Sequence, residues 1–399
     1  MSTTASTYAS RTETPHTRKA PRIYAFAAIS ALLFLCIASC ALSACSESPT
    51  TATSSNAAAT QQITDAYGRT VAVPATVNSV ATVGSAARFV VYAGGAEGIA
   101  KLVAVTEKET SPAPNRPYTM VYADAFGALP STSNGNHLME TSIDTEALLG
   151  IHPDVIVSSR SAAECDTLQQ NTGIPVVGIS YQDQLFTEDV YASILAVGTA
   201  IGTADHAQNT VGALKRWSAD LEKRGNAGRA ALEKAGRAEP HIYIGAVNYK
   251  GATSFGGTFQ HYAPAEAVGA TNVADALGGT GSVMASLEQL GTWNPDYLFL
   301  NTDNIGLLRS DYAAHAEFFG QLTAFQSGNL YSQPSFNFNG TNVELGVCDA
   351  YFIGSTIYPE AFGDVQLTKQ YDEIFQTLLG STYYEQMKAQ GMDFTRVTL

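Results

Sequence analysis

The chain has 399 residues, with 22 Lys and Arg against 36 Asp and Glu and a formal net charge of −14. That acidity excludes nucleic acid as a partner and adhesion to anionic lipid headgroups, because both need clustered cations. Any anion site must therefore be local.

Arg11, Arg18, Lys19 and Arg22 form a basic segment, and Ile23 to Ala41 then runs almost without polar interruption. Basic residues, an apolar run and small residues describe a secretory signal peptide. A transmembrane helix is the other reading, since the run approaches the roughly 20 residues that span a bilayer. It leaves the small-small-Cys ending unexplained. Leu42-Ser43-Ala44-Cys45 resembles the bacterial lipobox, in which the cysteine becomes the first mature residue and carries lipid. Ile37-Ala38-Ser39-Cys40 fits more loosely. The hydrophilic Ser46-Glu47-Ser48 directly after Cys45 points to Cys45 as the lipidated residue and to residues 1–44 as the signal peptide. Four of the 22 basic residues and one of the 36 acidic ones lie in residues 1–44, which leaves 18 against 35, a net of −17. Besides Cys45, the mature part keeps only Cys165 and Cys348, expected as buried free thiols.

Residues 45–60 are rich in Ser, Thr and Ala without an apolar period, as a flexible tether is. "TDAYGRTVAVP" predicts a β-hairpin, "SVATVG" a strand, "SAARFVVYAGGAEGI" a helix and "AKLVAVT" the next strand. "SIDTEALLGIHPDVIVSS" reads as helix, Pro break and buried strand, and "TGIPVVGIS" as another strand. Strands alternating with helices predict a parallel sheet covered by helices over 61–186. The β signal stops in 187–237. There "TEDVYASILAVGTAIG" and a long segment apolar at Val211, Leu214, Trp217 and Leu221 predict two helices. Alternation resumes over 238–399 with "PHIYIGAV", "SLEQLGTWNPDYLFLNT" and "GNLYSQPS", closed by a helical stretch from Val343 to the end. The expected fold is α/β, with two Rossmann-like lobes joined by a single long helix and a ligand cleft between them.

The paired "HPDVIV" and "NPDYLFL" phrases, the "TDAYGRTVAVP" opening and the one long helix between lobes resemble the helical-hinge class of ABC-transporter substrate-binding proteins. "GSAARFVVYAGG", "NRPY", "NYKGATSF", "EAVGATNVADALGG" and "DAYFIGSTIYPEAF" are similar to its iron-complex branch. The likeness runs from about Ile63 to the C-terminus. It implies a lipid-anchored, extracytoplasmic monomer that captures an iron complex (siderophore or haem) or a corrinoid and delivers it to an ABC permease and its ATPase. It implies no cofactor and no enzymatic activity. The alternative within the class is a receptor for an oxyanion, such as molybdate or tungstate, or for a free metal ion. Many relatives place a permease-docking Glu in the first helix after the first strand. Here that place holds Arg88, so docking charge falls elsewhere, with Glu97 as a candidate.

In an open α/β sheet the loops beyond the carboxyl ends of the strands line the ligand crevice. In the first lobe this singles out Ser85, Arg88 and Tyr181, together with Arg116 in the Pro-stiffened "NRPY" loop. In the second it singles out Tyr249, Lys250, Phe255 and His261 in one long loop, Asn301 after its strand, and Phe336, Asn337, Phe338 and Asn339 in "SFNFNGTN". The rings suit stacking on a planar ligand, the amides suit orienting it, and the cations suit its carboxylates. Each has a plainer reading: helix capping by Ser85, core packing by Phe336 or Phe338, and surface ion pairs for the cations. No GxxxxGK[ST], HExxH or GxSxG occurs, and "GGTGSV" lacks the third glycine of a dinucleotide fingerprint. His137, His261 and Asp303 have no metal-ligand spacing. A purely adhesive surface lipoprotein is the third class considered, and it would bind no small ligand.

Overall fold

The computed structural model describes residues 59–134 and 142–399. The signal peptide, Cys45, all but the end of the tether, and His137 lie outside the described residues. The opening stretch forms the expected hairpin, Thr60–Thr64 against Thr70–Pro74.

Two sheets follow, and period-2 burial explains both. In the first, Leu102–Ala104, Val80–Val83, Val155–Ser158 and Val176–Gly178 lie side by side in that order, all parallel. Val155 and Val157 enter the main core, while Ile156 faces a smaller cluster with Leu148, Cys165 and Leu168. Both faces are covered, so the strands read as unbroken apolar runs. The second sheet has the order Gly281–Met284, Gly257–Gln260, His241–Gly245, Tyr297–Asn301, Leu330–Gln333, Thr395–Arg396, with Thr271–Asn272 beside His241. Its three central strands are parallel, Thr271–Asn272 joins them parallel, and the pairings of Gly257–Gln260, Gly281–Met284 and Thr395–Arg396 are antiparallel.

Two features differ from the sequence reading. The glycine-rich "SFGGTFQHY" stretch reads as loop, yet Gly257–Gln260 is a strand. Its glycines hide the alternation that would announce it. The closing segment also does not stay helical. After Val343–Ile357, Leu367–Leu379 and Tyr384–Ala389 the chain returns as a two-residue edge strand.

Helix Ala204–Lys234 spans 31 residues and links the sheets. Its buried stripe includes Val211, Leu214, Trp217 and Leu221, then continues through Gly225, Gly228 and Leu232. The glycines allow close approach: Gly225 lies under the Val268 carbonyl and Gly228 under the Tyr358 ring. The helix does not separate two independent cores. Val155, Val157, Ile242, Ile244 and Phe299 from both sheets join Phe89, Leu214, Phe352 and Leu378 in a single cluster. Leu367–Leu379, inside the span expected as second lobe, packs against the first-lobe helix Ala87–Lys101.

The helix Val343–Ile357 is buried along most of its length and carries two buried carboxyls. Glu344 pairs with the Tyr92 hydroxyl of the first lobe, and Asp349 accepts from Tyr262 of the second at 2.5 Å. Burial pushes both carboxyls up, Asp349 well above the usual carboxylate range. Cys165 and Cys348 are both buried and unpaired.

The linking helix offers a test in which two effects oppose. Gly→Ala in a helix interior gains about 1 kcal/mol in propensity. At Gly212 the new methyl meets only the movable end of Arg216, at 3.5 Å, so Gly212→Ala should raise the melting temperature. At Gly225 it would overlap the Val268 backbone carbonyl, which cannot rotate away. Overpacking of that kind costs about 1–3 kcal/mol, so Gly225→Ala should melt lower than wild type in scanning calorimetry.

Candidate functional site

The carboxyl ends of both parallel sheets feed loops into one seam. The segment 335–342, which follows the strand Leu330–Gln333, crosses to the first lobe. The Asn339 carbonyl accepts from Arg88 Nη2 at 2.5 Å, and Thr341 Oγ1 accepts from the Asp183 backbone N–H at 2.8 Å. Asn337 Nδ2 donates to Asp183 Oδ1 at 2.8 Å, and Asn115 Nδ2 reaches across to Asp303 Oδ2 at 3.0 Å. The crossing loop holds its own shape: Asn342 N–H donates to the Phe336 carbonyl at 2.7 Å, and Thr341 Oγ1 donates to Asn337 Oδ1 at 2.8 Å. Asn339 and Gly340 both have positive φ, 50° and 92°.

Arg88 lies beneath this loop, 0% exposed. Nη2 is 3.3 Å from the Tyr118 hydroxyl, and the guanidinium carbon is 4.9 Å from the Tyr118 ring centroid and 5.7 Å from that of Tyr181. Nε and Nη1 have no protein hydrogen-bond partner. The nearest compensating charge acts through a phenol: the Tyr118 hydroxyl donates to Glu109 Oε1 at 3.0 Å. Glu109, also 0% exposed, accepts from the Ala87 N–H at 3.2 Å and from Thr106 Oγ1 at 2.9 Å. Burial raises the Glu109 carboxyl above the usual carboxylate range, and Arg88, the hydrogen bonds from Thr106 and Tyr118, and Arg116 offset only part of that rise. For Arg88, burial pulls the pKa down, but the oxygens of Tyr118, Tyr181, Tyr92 and Glu109 outweigh it, and the group stays charged.

Further polar atoms without a protein partner gather in the same seam loops: Asn115 Oδ1, Asn301 Nδ2, Thr302 Oγ1, Gln333 Oε1 and Asn342 Oδ1. Buried polar groups are normally satisfied, so such a concentration needs a reason. Asn301, Gln333 and Ser335 also line a cavity of ≈ 10 Å³, about the room one water needs.

Several expected residues meet here. Tyr181 donates to the Ser85 carbonyl at 2.8 Å, and both lie against Gly340 above Arg88. Asn337, Phe338 and Asn339 sit in the crossing loop, and Asn301 at the cavity. Ser85 does not cap the first helix; Glu109 takes the Ala87 N–H instead. Phe336 is core, its ring 5.0 Å from that of Tyr262. Phe255 belongs to the cluster on the other face of the second sheet, 4.2 Å from Phe319. Arg116 is buried and clamps its own loop, donating to the Ser111 carbonyl at 2.5 Å and to the Lys108 carbonyl, which leaves only Nε without a partner. Tyr249 and Lys250 are exposed, with Nζ 5.2 Å from the ring centroid. His261 is exposed and pairs with Glu266 in its own lobe at 2.9 Å. Arg88 is too deep to present docking charge, whereas Glu97 is exposed and 3.3 Å from Lys101. Glu109, Tyr118, Asn115 and Asp183 escape the sequence reading. The Thr106–Glu109 spacing of a capping box was the one available signal for Glu109.

Among the described residues, no group of three or more His, Cys, Asp or Glu could hold a metal ion, and no helix is long and apolar enough to cross a membrane.

The family model described as "Periplasmic binding protein" matches residues 80–335, from the first parallel strand to the start of the crossing loop. The chain belongs to the periplasmic binding protein family. Members work with an ABC permease and its ATPase, bind small ligands and act outside the cytoplasm. Solved structures agree on the two-lobe fold. A periplasmic solute-binding protein from Veillonella parvula matches with TM-score 0.65 and 18% identity over 84% of this chain and 97% of its own. MolA of Haemophilus influenzae, bound to molybdate, gives 0.59 and 16% over 81% and 99%. The TroA-like periplasmic binding protein FepB from Veillonella parvula gives 0.60 and 18% over 84% and 99%. A search of curated proteins finds no match.

The crossing loop depends on Gly340. A Cβ there would stand 2.6 Å from Tyr181 Oη and 3.4 Å from Arg88 Nη1, on a backbone at φ 92°. Strain of this kind costs about 1–3 kcal/mol. Gly340→Ala should lower unfolding free energy by that amount in urea titration, whereas Gly127→Ala, which meets nothing within 4 Å, should not.

Proposed function

We propose that this chain is the substrate-binding subunit of an ABC importer, anchored through lipid on Cys45, and that it captures a compact oxyanion of the molybdate type at Arg88. One observation carries the reading: a guanidinium with no exposed surface has, among the described residues, no ion-pair partner and two unpartnered nitrogens in the interlobe seam. Each buried polar group left unsatisfied costs about 1–3 kcal/mol. An oxyanion accepting from Nε or from Nη1, whose N–H groups lie on opposite edges of the guanidinium, would remove part of that cost and supply the missing charge. Asn301 Nδ2 is a further unpartnered donor in the seam loops, and it adds no charge.

The iron-complex or corrinoid ligand implied by the sequence resemblance is the second reading. The exposed Tyr249–Lys250 pair and the half-buried Phe338 favour it, because these groups suit a ligand larger than an ion. Against it, Phe255 and Phe336 are committed to core packing, and the crossing loop lies directly on Arg88 and Tyr181.

Calorimetry with molybdate, ferric siderophores, haem and cobalamin separates the two. On the oxyanion reading molybdate binds, Arg88→Lys weakens it at least tenfold by losing the planar fork, and Tyr249→Ala and Phe338→Ala change little. On the chelate reading a siderophore, haem or cobalamin binds instead and the two aromatic changes each weaken it. If none of these ligands binds, both readings fail. A ligand at 100 times its Kd should stabilise the fold by about 2.7 kcal/mol.

Anchoring has its own test. Cys45→Ala should move the protein from the membrane fraction to the soluble one, and mass spectrometry should find diacylglyceryl on Cys45. Finding it on Cys40 would relocate the anchor.

A further inference from the structure

Glu109 is a buried carboxylate whose position the capture of a ligand does not by itself explain. It makes no direct ion pair with Arg88; the Tyr118 hydroxyl stands between them, 3.3 Å from Arg88 Nη2 and 3.0 Å from Glu109 Oε1. The groups around it come from several elements. Arg88 lies on the first helix, Arg116 and Tyr118 on the segment after the Pro-rich loop, and Thr106 on Glu109's own turn. Tyr181 faces Arg88 from the loop after Val176–Gly178, and Tyr92 and Glu344 also interact electrostatically with Arg88. Glu107 and Lys108 flank Glu109 on its turn and are partly exposed. The enclosed cations are thus Arg88 and Arg116, and Arg116 is committed to two backbone carbonyls of its own loop.

We infer that Glu109 is the proton acceptor of the anion site, and that an anion captured by Arg88 is bound together with one proton on Glu109. This rests on Arg88 as the ligand's cation. Its physical basis is competition for a single buried charge. With no anion present, Arg88 is the largest influence opposing the burial that favours a neutral Glu109. An anion on Nε or Nη1 takes up that positive charge, and the unopposed cost of a buried carboxylate then draws a proton from solvent. The proton has a place to go. On Oε1 it reverses the 3.0 Å bond, so that Glu109 donates to the Tyr118 oxygen. The Tyr118 hydroxyl hydrogen is then free to turn toward the anion beside Arg88. One captured anion thereby gains a neutral donor and loses a repelling charge.

The experiment is calorimetric titration of the wild-type protein with molybdate between pH 6.5 and 8.5, in buffers of different ionisation enthalpy. Wild type should take up close to one proton per molybdate, with affinity falling up to about tenfold per pH unit as pH rises. Glu109→Gln should bind without proton uptake, with a flat pH profile and, at pH 8.5, an affinity at least equal to wild type. Binding by wild type with no proton uptake overturns the inference and leaves Arg88 in place. Uptake that persists in Glu109→Gln assigns the proton elsewhere and overturns it as well. Undiminished binding by Arg88→Lys, or no binding of molybdate by wild type, removes the oxyanion reading and this inference with it. Should Glu109→Gln fail to fold, the wild-type proton count still decides whether coupling exists, and Tyr118→Phe, which breaks the link to Arg88, should reduce it.

Discussion

The constraint on which the rest depends is that both sheets share one apolar core. Residues from each sheet, from the linking helix and from the C-terminal helices belong to the same cluster. Moving one lobe far from the other would expose part of that cluster to water, at about 25 cal/mol for each Å² uncovered. Large hinge opening is therefore expensive. Adjustment is cheapest where the lobes meet through loops and hydrogen bonds, as they do at residues 335–342. The helix Val343–Ile357 begins directly after this loop and ties it to both lobes through Glu344–Tyr92 and Asp349–Tyr262. The loop is short, pinned at its far end and polar at its tip. Any change in the seam is thus confined to a few residues around Asn339 and Gly340.

The electrostatics follow from the same confinement. The mature chain is strongly acidic, yet the side chain at the centre of the seam is a cation with no direct carboxylate partner. A buried charge normally requires pairing, because several kcal/mol of desolvation must be offset. Here the offset is divided among two tyrosine rings, one backbone carbonyl and a carboxylate reached through a phenol. That arrangement keeps Arg88 charged while leaving two of its nitrogens uncommitted. A direct Arg88–Glu109 pair would be more stable by itself and would leave less for a ligand.

Much of the fold was legible in the sequence. The hairpin, the parallel strands and the long helix with its stripe at Val211, Leu214, Trp217 and Leu221 follow from local periodicity and turn chemistry, which the chain carries wherever it folds, while the class of protein was legible only through the resemblance of its phrases to a known family. What escaped was non-local. Gly257–Gln260 is a strand because His241–Gly245 and Gly281–Met284 flank it, and its own glycines give no alternating signal. Phe255 and Phe336 look like ligand-stacking rings in a loop-like context, but each finds aromatic partners far along the chain.

The candidate site divides along the same line. Residue type and position after a strand sufficed to single out Ser85, Arg88, Tyr181, Asn301 and the "NFN" tip, because loops at the carboxyl ends of parallel strands converge in any such sheet. No pattern in the sequence could say that Arg88 would be fully buried or that Arg116 would spend its fork on its own loop. Nor could it say that Glu109 would reach Arg88 only through Tyr118. Those facts depend on distances between residues 5 to 251 positions apart. By itself the sequence determined which groups are available at the crevice. Only the tertiary structure decided which of them are already satisfied, because hydrogen-bond partnership and burial are properties of neighbours in space.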